Sequence, residues 1–185
     1  MRFWLDTEFL EDGRTIEIVS VGIVAEDGRE LYLCNAECEL DKASKWVITN
    51  VLPKLPPRLA LPDSPDSTPQ DLTSSAAAWV SKRQLRKQLD KFIGKGRPGK
   101  PEFWAYIPHY DWVAICQLFG PMLNRPAHWP KQCFDVYQLW VSRGSPAIPR
   151  MDPSIQHNAL ADARWCKLVW ETLQEPKPEP ANVDQ

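Results

Sequence analysis

The alternation of apolar and polar positions at the start of the chain predicts three antiparallel strands. Residues 2–9 form a short apolar and aromatic run, and residues 15–25 are rich in β-branched side chains, which favour extended structure. The dipeptide Asp27-Gly28 separates that run from the apolar residues 31–33, and Asp-Gly between two such runs is a strong hairpin signal. We therefore expect the protein to open with a three-stranded antiparallel sheet.

Helical periodicity dominates the rest of the chain, with one further strand at residues 102–107. The pattern predicts helices at about 41–52, 81–93, 110–119, 134–141 and 159–173. In the first of these we place Trp46 and Val47 on the buried side, and in the third we expect Val113 to be buried. Hairpins followed by α and β units indicate a mixed sheet with helices on its faces.

Two proline-rich stretches carry no periodic apolar face. Residues 53–75 mix repeated prolines with Ser, Asp and Thr, which predicts a long surface loop that is either functional or disordered. Residues 175–185 hold further prolines and predict a disordered tail. At 185 residues the chain is then one domain, residues 1–174, followed by that tail.

Charge and cysteine content narrow the class of protein. The net charge is −2, so no overall basic field predicts a nucleic-acid-coating protein, although a local basic rim stays open. The helix at 81–93 has such a rim, and a solvated surface or an RNA contact would both explain it. Five scattered cysteines, no signal-peptide pattern and no apolar run of about 20 residues predict a cytoplasmic protein with reduced thiols and no membrane partner.

Two acidic residues at the end of the first apolar run are the first candidate site. Asp6 and Glu8 are two apart in a predicted strand, so their carboxylates point to the same side. Carboxylates held that close repel unless one takes up a proton or both bind a cation. The alternative is a strand end that meets solvent, and these residues alone leave both interpretations open.

Three later residues are candidates to complete that site. Asp111 follows the strand at 102–107, and Asp162 lies in the first turns of the last helix. Asn158 is a good N-cap, so His157 would stay outside the helix and could approach Asp162. Each has an ordinary alternative, since Asp is favoured in a first helical turn by the helix dipole and a loop histidine is common on surfaces.

Together these residues resemble the DEDDh 3′-5′ exonucleases, the RNase T and proofreading-domain group of the ribonuclease H-like superfamily. The motifs that carry the resemblance are Asp6-x-Glu8 on a first strand, Tyr110-Asp111 after a later strand, and His157-x4-Asp162 before the last helix. The resemblance spans residues 1–173, and the run DTEFLEDGRTIEIVSVGIVAEDGRELY looks closest to the small mycobacterial-type exoribonucleases of the group.

The chain departs from the family pattern at two places. Ile107 stands where the middle motif usually has an asparagine, and Phe9-Leu10 stands where a Thr-Gly often follows the first Glu. The sister DEDDy branch carries a tyrosine four residues before the last Asp, where this chain has Asn158, so the resemblance is to the h branch. Asp135 matches an aspartate at the start of the penultimate helix, and we expect it to cap that helix.

The resemblance implies an α/β fold with a mixed five-stranded sheet, its first three strands antiparallel, flanked by helices. It implies a 3′-5′ exoribonuclease that releases nucleoside 5′-monophosphates from single-stranded 3′ ends or overhangs by two-metal-ion hydrolysis with Mg²⁺ or Mn²⁺. Asp6 would bridge both ions, Glu8 and Asp162 would hold the ion that carries the attacking water, and Asp111 the second. His157 would be the general base. A homodimer is a further expectation from the resemblance.

Substrate-contacting residues are expected beside this centre. Aromatic side chains stack on any base without distinguishing its identity, which makes Phe9 the first candidate, with core packing as its alternative. The other candidates are Thr7, His109, Trp112 and Arg150. Core packing is also the alternative for Trp112.

Two rival functions stay open. The same chemistry could act on DNA, because a metal centre encounters a phosphodiester in either polymer, and RNA is preferred only from closeness to the exoribonucleases. A non-catalytic nucleic-acid-binding module on the same fold predicts loss of an acid or of the histidine, yet all five are present.

Overall fold

A six-stranded mixed sheet forms the centre of the protein. The computed structural model describes residues 1–58, 78–94 and 99–174. The strands are β1 Arg2–Glu11, β2 Ile16–Ala25, β3 Glu30–Asn35, β4 Ala78–Val80, β5 Glu102–Ala105 and β6 Phe134–Asp135. Their order is β4-β3-β2-β1-β5-β6; β1, β2 and β3 pair antiparallel, and the remaining pairs are parallel. The predicted antiparallel opening is confirmed.

Five helices flank this sheet. They are α1 Lys45–Asn50, α2 Lys82–Ile93, α3 His109–Gln117, α4 Val136–Ser142 and α5 Ala159–Thr172. Short 3-10 turns occupy Leu40–Lys42, Leu52–Lys54 and Met122–Asn124. The two predicted caps are present, since Asp135 caps α4 and Asn158 caps α5, and Ser81 with Gln84 forms a capping box on α2.

The alternation of side chains along β1 separates two apolar layers. Phe3 and Leu5 pack with the buried faces of α2 and α3, whereas Trp4 packs on the other side of the sheet against α5. A sheet covered on both faces explains why its central strands are nearly continuous apolar runs. None of the helices in the described residues is long and apolar enough to cross a membrane.

The expectation of a five-stranded sheet was wrong in strand number, because the sheet has six strands. The additional pairing comes from very short strands, since β4 has three residues and β6 has two. Neither is long enough to show a periodic pattern, and both form only because a neighbouring strand is already in place. Most of the predicted 53–75 loop and all of the 175–185 tail lie outside the described residues, so the domain limits stay predictions.

Two expectations about helix faces were wrong. Trp46 is 55% exposed although Val47 is buried, because adjacent residues of a helix point about 100° apart and α1 turns Val47 inward. Val113 is 45% exposed, since the inward face of α3 is set by Asp111 together with residues three and four positions later. The buried Asp111 therefore lies on the inward side of α3, and the apolar pattern alone predicted a different side.

Candidate active site

Strand β1 presents two acids on the face that α5 covers. Asp6 pairs with Gly22 of β2 and Glu8 with Ser20, and the register shifts by one residue immediately after Glu8. Such a bulge ends the regular pairing and increases the local twist of the strand. Glu8 is buried and Asp6 is partly buried, so these acids do not sit at a strand end that meets solvent.

Asp111 is held by the residue that lies between the two acids of β1. The backbone N–H of Thr7 donates to Asp111 Oδ1 at 2.8 Å, and the Thr7 hydroxyl donates to the same oxygen at 2.7 Å. Both residues are buried. Thr7, which we expected to contact substrate, thus fixes the carboxylate of α3 against β1.

A glycine brings the start of α5 onto the sheet. A Cβ at Gly22 would lie 2.2 Å from the carbonyl oxygen of Ala159, so only glycine permits this approach. The contact places the first turn of α5, and with it Asp162, above the β2 position that pairs with Asp6. The close approach is therefore part of how the site is assembled.

His157 is held in place by its backbone rather than by a helix. Its φ of 66° is in the left-handed region, which is uncommon for a residue other than glycine. In this conformation its N–H donates to Asp162 Oδ2 at 2.8 Å. The next residue, Asn158, caps α5 and donates to Tyr32 Oη and to the carbonyl of Lys54, both at 3.0 Å.

These segments converge on one centre. One potential ligand atom from each of Glu8, His157 and Asp162 lies within 4.8 Å of the other two. Asp6 interacts electrostatically with Asp111, Glu8 and Asp162. Three of the five candidate residues thus offer ligand atoms close to one another, and Asp6 and Asp111 interact electrostatically with this group, although the five come from β1, α3, α5 and the loop before α5.

The carboxylates of this centre are electrostatically unfavourable when no cation balances them. Burial, and then the charges of Asp111, Glu8 and Asp162, hold the pKa of Asp6 well above its usual range. Burial and the neighbouring acids raise the pKa of Glu8 to about 8. Burial raises the pKa of Asp162 to about 6, although the N–H groups of His157 and Asn158 oppose it.

Two further groups complete the electrostatics. Burial raises the pKa of Asp111, and the two hydrogen bonds from Thr7 counteract that rise. Burial and the nearby Lys54 lower the pKa of His157, so its imidazole is neutral at neutral pH. A neutral imidazole can accept a proton.

The donor set fits hard divalent cations. Four carboxylates supply oxygen ligands, which suit Mg²⁺ and Mn²⁺, and two ions would neutralise the acids that otherwise repel. Burial raises the pKa of Cys166, which lies beside Asp6, so this thiol stays protonated and is a poor ligand.

Aromatic rings border the acidic centre. Phe9 stacks on Tyr110 with ring centroids 5.7 Å apart and an interplanar angle of 8°, and Tyr110 is 55% exposed. Trp46 contacts His157 edge to face at 4.9 Å. The sequence did not indicate Trp46 as a site residue, because its apolar character predicted that it would be buried. The pattern of an aromatic residue followed by Val47 is too weak a signal to predict a site residue.

The other expected substrate contacts are less central. Trp112 packs against Phe103 at 5.0 Å and its Nε1 donates to the carbonyl of Lys131, which favours the core-packing alternative. His109 is exposed at the first residue of α3, and Arg150 is exposed in the loop between α4 and α5.

Comparison with known proteins identifies the family of the chain. Residues 65–174 match the family model described as 3′-5′ exoribonuclease Rv2179c-like domain. Two relatives, 3′-5′ exoribonuclease MT2234.1 and 3′-5′ exoribonuclease Rv2179c, come from two Mycobacterium tuberculosis strains. Each is 42% identical over 164 residues, which covers 89% of this chain and 88% of the relative. The chain therefore belongs to the Rv2179c-like 3′-5′ exoribonuclease domain family.

Proposed function

We propose that this chain is a metal-dependent 3′-5′ exoribonuclease of the DEDDh type, which releases nucleoside 5′-monophosphates from single-stranded RNA ends or overhangs. The observation that carries the proposal is the convergence of four acids with raised pKa values and one neutral histidine. Burying carboxylates together is unfavourable unless cations balance them, and a pair of divalent cations can catalyse the hydrolysis of a phosphodiester. The family membership supports RNA as the polymer.

The acids have separate roles in this proposal. By the family resemblance Asp6 would hold both ions, Glu8 and Asp162 the ion on the attacking-water side, and Asp111 the other. When bound, Mg²⁺ or Mn²⁺ would lower the pKa of the attacking water and stabilise the charge on the phosphate oxygens. Thr7 contributes by fixing Asp111, since a carboxylate held by two hydrogen bonds keeps one orientation.

His157 is the proposed general base. Its neutral imidazole would take the proton of the attacking water, and its backbone bond to Asp162 keeps the ring next to the acids. Trp46 packs edge to face against the His157 ring and so covers one side of it. The loop before α5 thus holds the base next to Asp162, a proposed ligand of the ion that would carry the attacking water.

The terminal nucleotide would be gripped by stacking. The Phe9–Tyr110 pair offers an exposed ring beside the acids, and stacking on a ring does not discriminate between bases. A homodimer stays an expectation from the family resemblance.

A single substitution tests the proposal. Asp6→Asn should abolish Mg²⁺-dependent release of nucleoside monophosphates from 3′-labelled RNA while the protein stays folded, because the carboxylate that would hold both ions is gone. The exposed Asp41→Asn is the matched control and should keep full activity. Product analysis on RNA, DNA and overhang duplexes provides the measurement. If the unmodified protein with Mn²⁺ released nothing from any of them, the proposal would be wrong, and faster release from DNA would reassign the polymer.

A further inference from the structure

The outward face of α2 is entirely basic. Its apolar residues Leu85, Leu89 and Ile93 are buried against the sheet. Every exposed position of the helix is Lys or Arg: Lys82, Arg83, Arg86, Lys87 and Lys91. We call these five residues the α2 basic face. A protein whose net charge is −2 concentrates positive charge on one helix.

This arrangement opposes the stability of the helix. Lys82 and Arg86, like Arg83 and Lys87, are four residues apart, and like charges at that spacing repel. Cations in the first turn are also unfavourable next to the positive end of the helix dipole. The one acid of α2, Asp90, is only partly exposed and lies 3.4 Å from His128, so the exposed positions of the helix carry no negative charge and would suit a polyanionic partner.

Four of the five cations are available for such a partner. Lys82 pairs with Glu17 at 2.6 Å. Arg83, Arg86, Lys87 and Lys91 form no ion pair with any residue in the described part of the chain. They extend over nine residues, or about 12 Å at 1.5 Å per residue.

The sheet register places β4, the strand that precedes α2, three strands away from the active site. Glu8 pairs with Ser20, Ser20 with Cys34, and Cys34 with Trp79 of the edge strand. With neighbouring strands about 4.8 Å apart, Trp79 lies about 14 Å from Glu8. Lys82 follows Trp79 by three residues, but α2 packs on the sheet face opposite the acids, so an RNA strand would have to pass around the β4 edge to reach its basic face.

A further cation lies between the two. Arg58 is exposed as a residue, and its guanidinium sits over the ring of Trp79, 5.3 Å from the centroid, while donating to the carbonyl of Ala36. The Trp79 indole is itself fixed by donating to the carbonyl of Pro56 at 3.1 Å. A phosphate passing the sheet edge would therefore meet Arg58 before it meets α2.

We propose that the α2 basic face is an exosite for the phosphate backbone of RNA, upstream of the 3′ end that is being cut. This inference rests on the proposed function for its choice of RNA as the polyanion. Lys and Arg on phosphates contribute affinity without base recognition, and each contact releases counterions from the strand. The exosite would hold long substrates and leave very short ones unaffected.

The test compares two sets of charge removals. The exosite variant carries Arg83→Gln, Arg86→Gln, Lys87→Gln and Lys91→Gln. The control carries Arg14→Gln, Lys100→Gln, Lys131→Gln and Arg143→Gln, which removes the same charge from scattered exposed positions. Binding of a 20-nucleotide RNA is measured in EDTA at several salt concentrations, and hydrolysis with Mg²⁺ is measured on that RNA and on a dinucleotide.

The exosite variant should bind the long RNA at least tenfold more weakly than the control. The slope of log affinity against log salt should fall by up to about 3, from about 0.7 per phosphate contact on a single strand. Its KM for the long RNA should rise by a similar factor, while kcat/KM for the dinucleotide stays unchanged. A double variant, Arg86→Gln with Lys91→Gln, should show about half the slope change. A graded response of this kind is expected from lost phosphate contacts and would not result if the larger variant had simply unfolded.

Three outcomes would overturn the exosite. These are equal RNA binding by the exosite and control variants, a parallel loss on the dinucleotide, and displacement of the RNA by polyglutamate as readily as by unlabelled RNA. Because binding is measured without metal, it separates the two proposals. A protein that binds long RNA through α2 but cuts nothing keeps the exosite and loses the proposed function.

Discussion

At the residue scale, the site depends on how a few polar side chains hold one another. Thr7 lies between Asp6 and Glu8 in sequence, yet its side chain serves Asp111 on another element. Alternation along a strand predicts that Thr7 points away from the two acids, which it does. That it would meet a helical aspartate could not be predicted, since the partner lies 104 residues away.

Thr7→Val should weaken metal binding without unfolding the protein. Asp111 would lose one of its two hydrogen bonds, and bonds to charged groups are worth about 1.5–3 kcal/mol. The pKa of Asp111 would then rise further, so we expect the Mg²⁺ concentration for half-maximal activity to increase about tenfold or more. Metal titrations of activity provide the measurement. Thr7→Ser keeps a hydroxyl and should behave almost like the unmodified protein; equal impairment of both variants would contradict this role.

His157→Asn should separate the base from the metal ligands. Asparagine tolerates the left-handed backbone that His157 adopts, so the bond from its N–H to Asp162 should survive. Loss of a general base typically slows turnover by about 10²–10⁴-fold. Calorimetric metal binding should change little, whereas kcat should fall within that range. Complete loss of metal binding would mean that the imidazole is itself a ligand.

At the element scale, the relation between α5 and β2 decides whether the acids meet. The sequence predicts α5 and its Asn158 cap from local signals alone. The closeness of that helix to the sheet depends on Gly22, which inside a strand only suggests a bulge or a close approach. The helix was predictable, but its distance from the sheet was not.

Gly22→Ala should displace α5 and disrupt the site. The added methyl would overlap the Ala159 backbone, which cannot move without shifting the helix start and Asp162. Overpacking of this kind costs about 1–3 kcal/mol, so we expect a lower melting temperature together with a large loss of activity. Gly28→Asn is the control, because its turn position is open and asparagine accepts a positive φ. A fully active Gly22→Ala protein would contradict the importance of this contact.

Helix faces were less predictable than helix positions. In α3 the inward face is chosen by Asp111, so Val113 is exposed against its apolar character. In α1 the exposed Trp46 contacts His157 instead of packing in the core. Periodicity assumes that only apolar residues turn inward, and it fails where a buried acid serves the site.

At the scale of the whole molecule, the acidic centre should make stability depend on pH and metal. Glu8 has a folded pKa of about 8 against an ordinary value of 4.5. Between these values the folded state keeps a proton that the unfolded state releases, so stability falls as the pH rises from about 4.5 to about 8. Asp162 adds to this fall between 3.8 and about 6.

We therefore expect the melting temperature in EDTA to fall from pH 5 to pH 8, as Asp162 and Glu8 lose their protons in the folded state. Mg²⁺ should raise it most at pH 8, because ligand carboxylates must be deprotonated to bind. Calorimetric scans across this range provide the measurement. His157 opposes the trend at low pH, since its lowered pKa favours the neutral form in the folded state. The Glu8→Gln variant removes the contribution of this acid. Its melting temperature in EDTA should depend less on pH, and an equally steep dependence would contradict the assignment.

The sequence by itself determined the local elements and the chemistry of the centre. Hairpin turns, caps and apolar periodicity are encoded within a few residues, and carboxylates spaced along a strand carry their charge wherever the fold places them. Tertiary structure decided what depends on distant partners. It added two short strands and the Thr7 contact to Asp111, fitted α5 onto Gly22, and brought Trp46 to His157. These contacts join residues far apart in the chain, so no local pattern contains them.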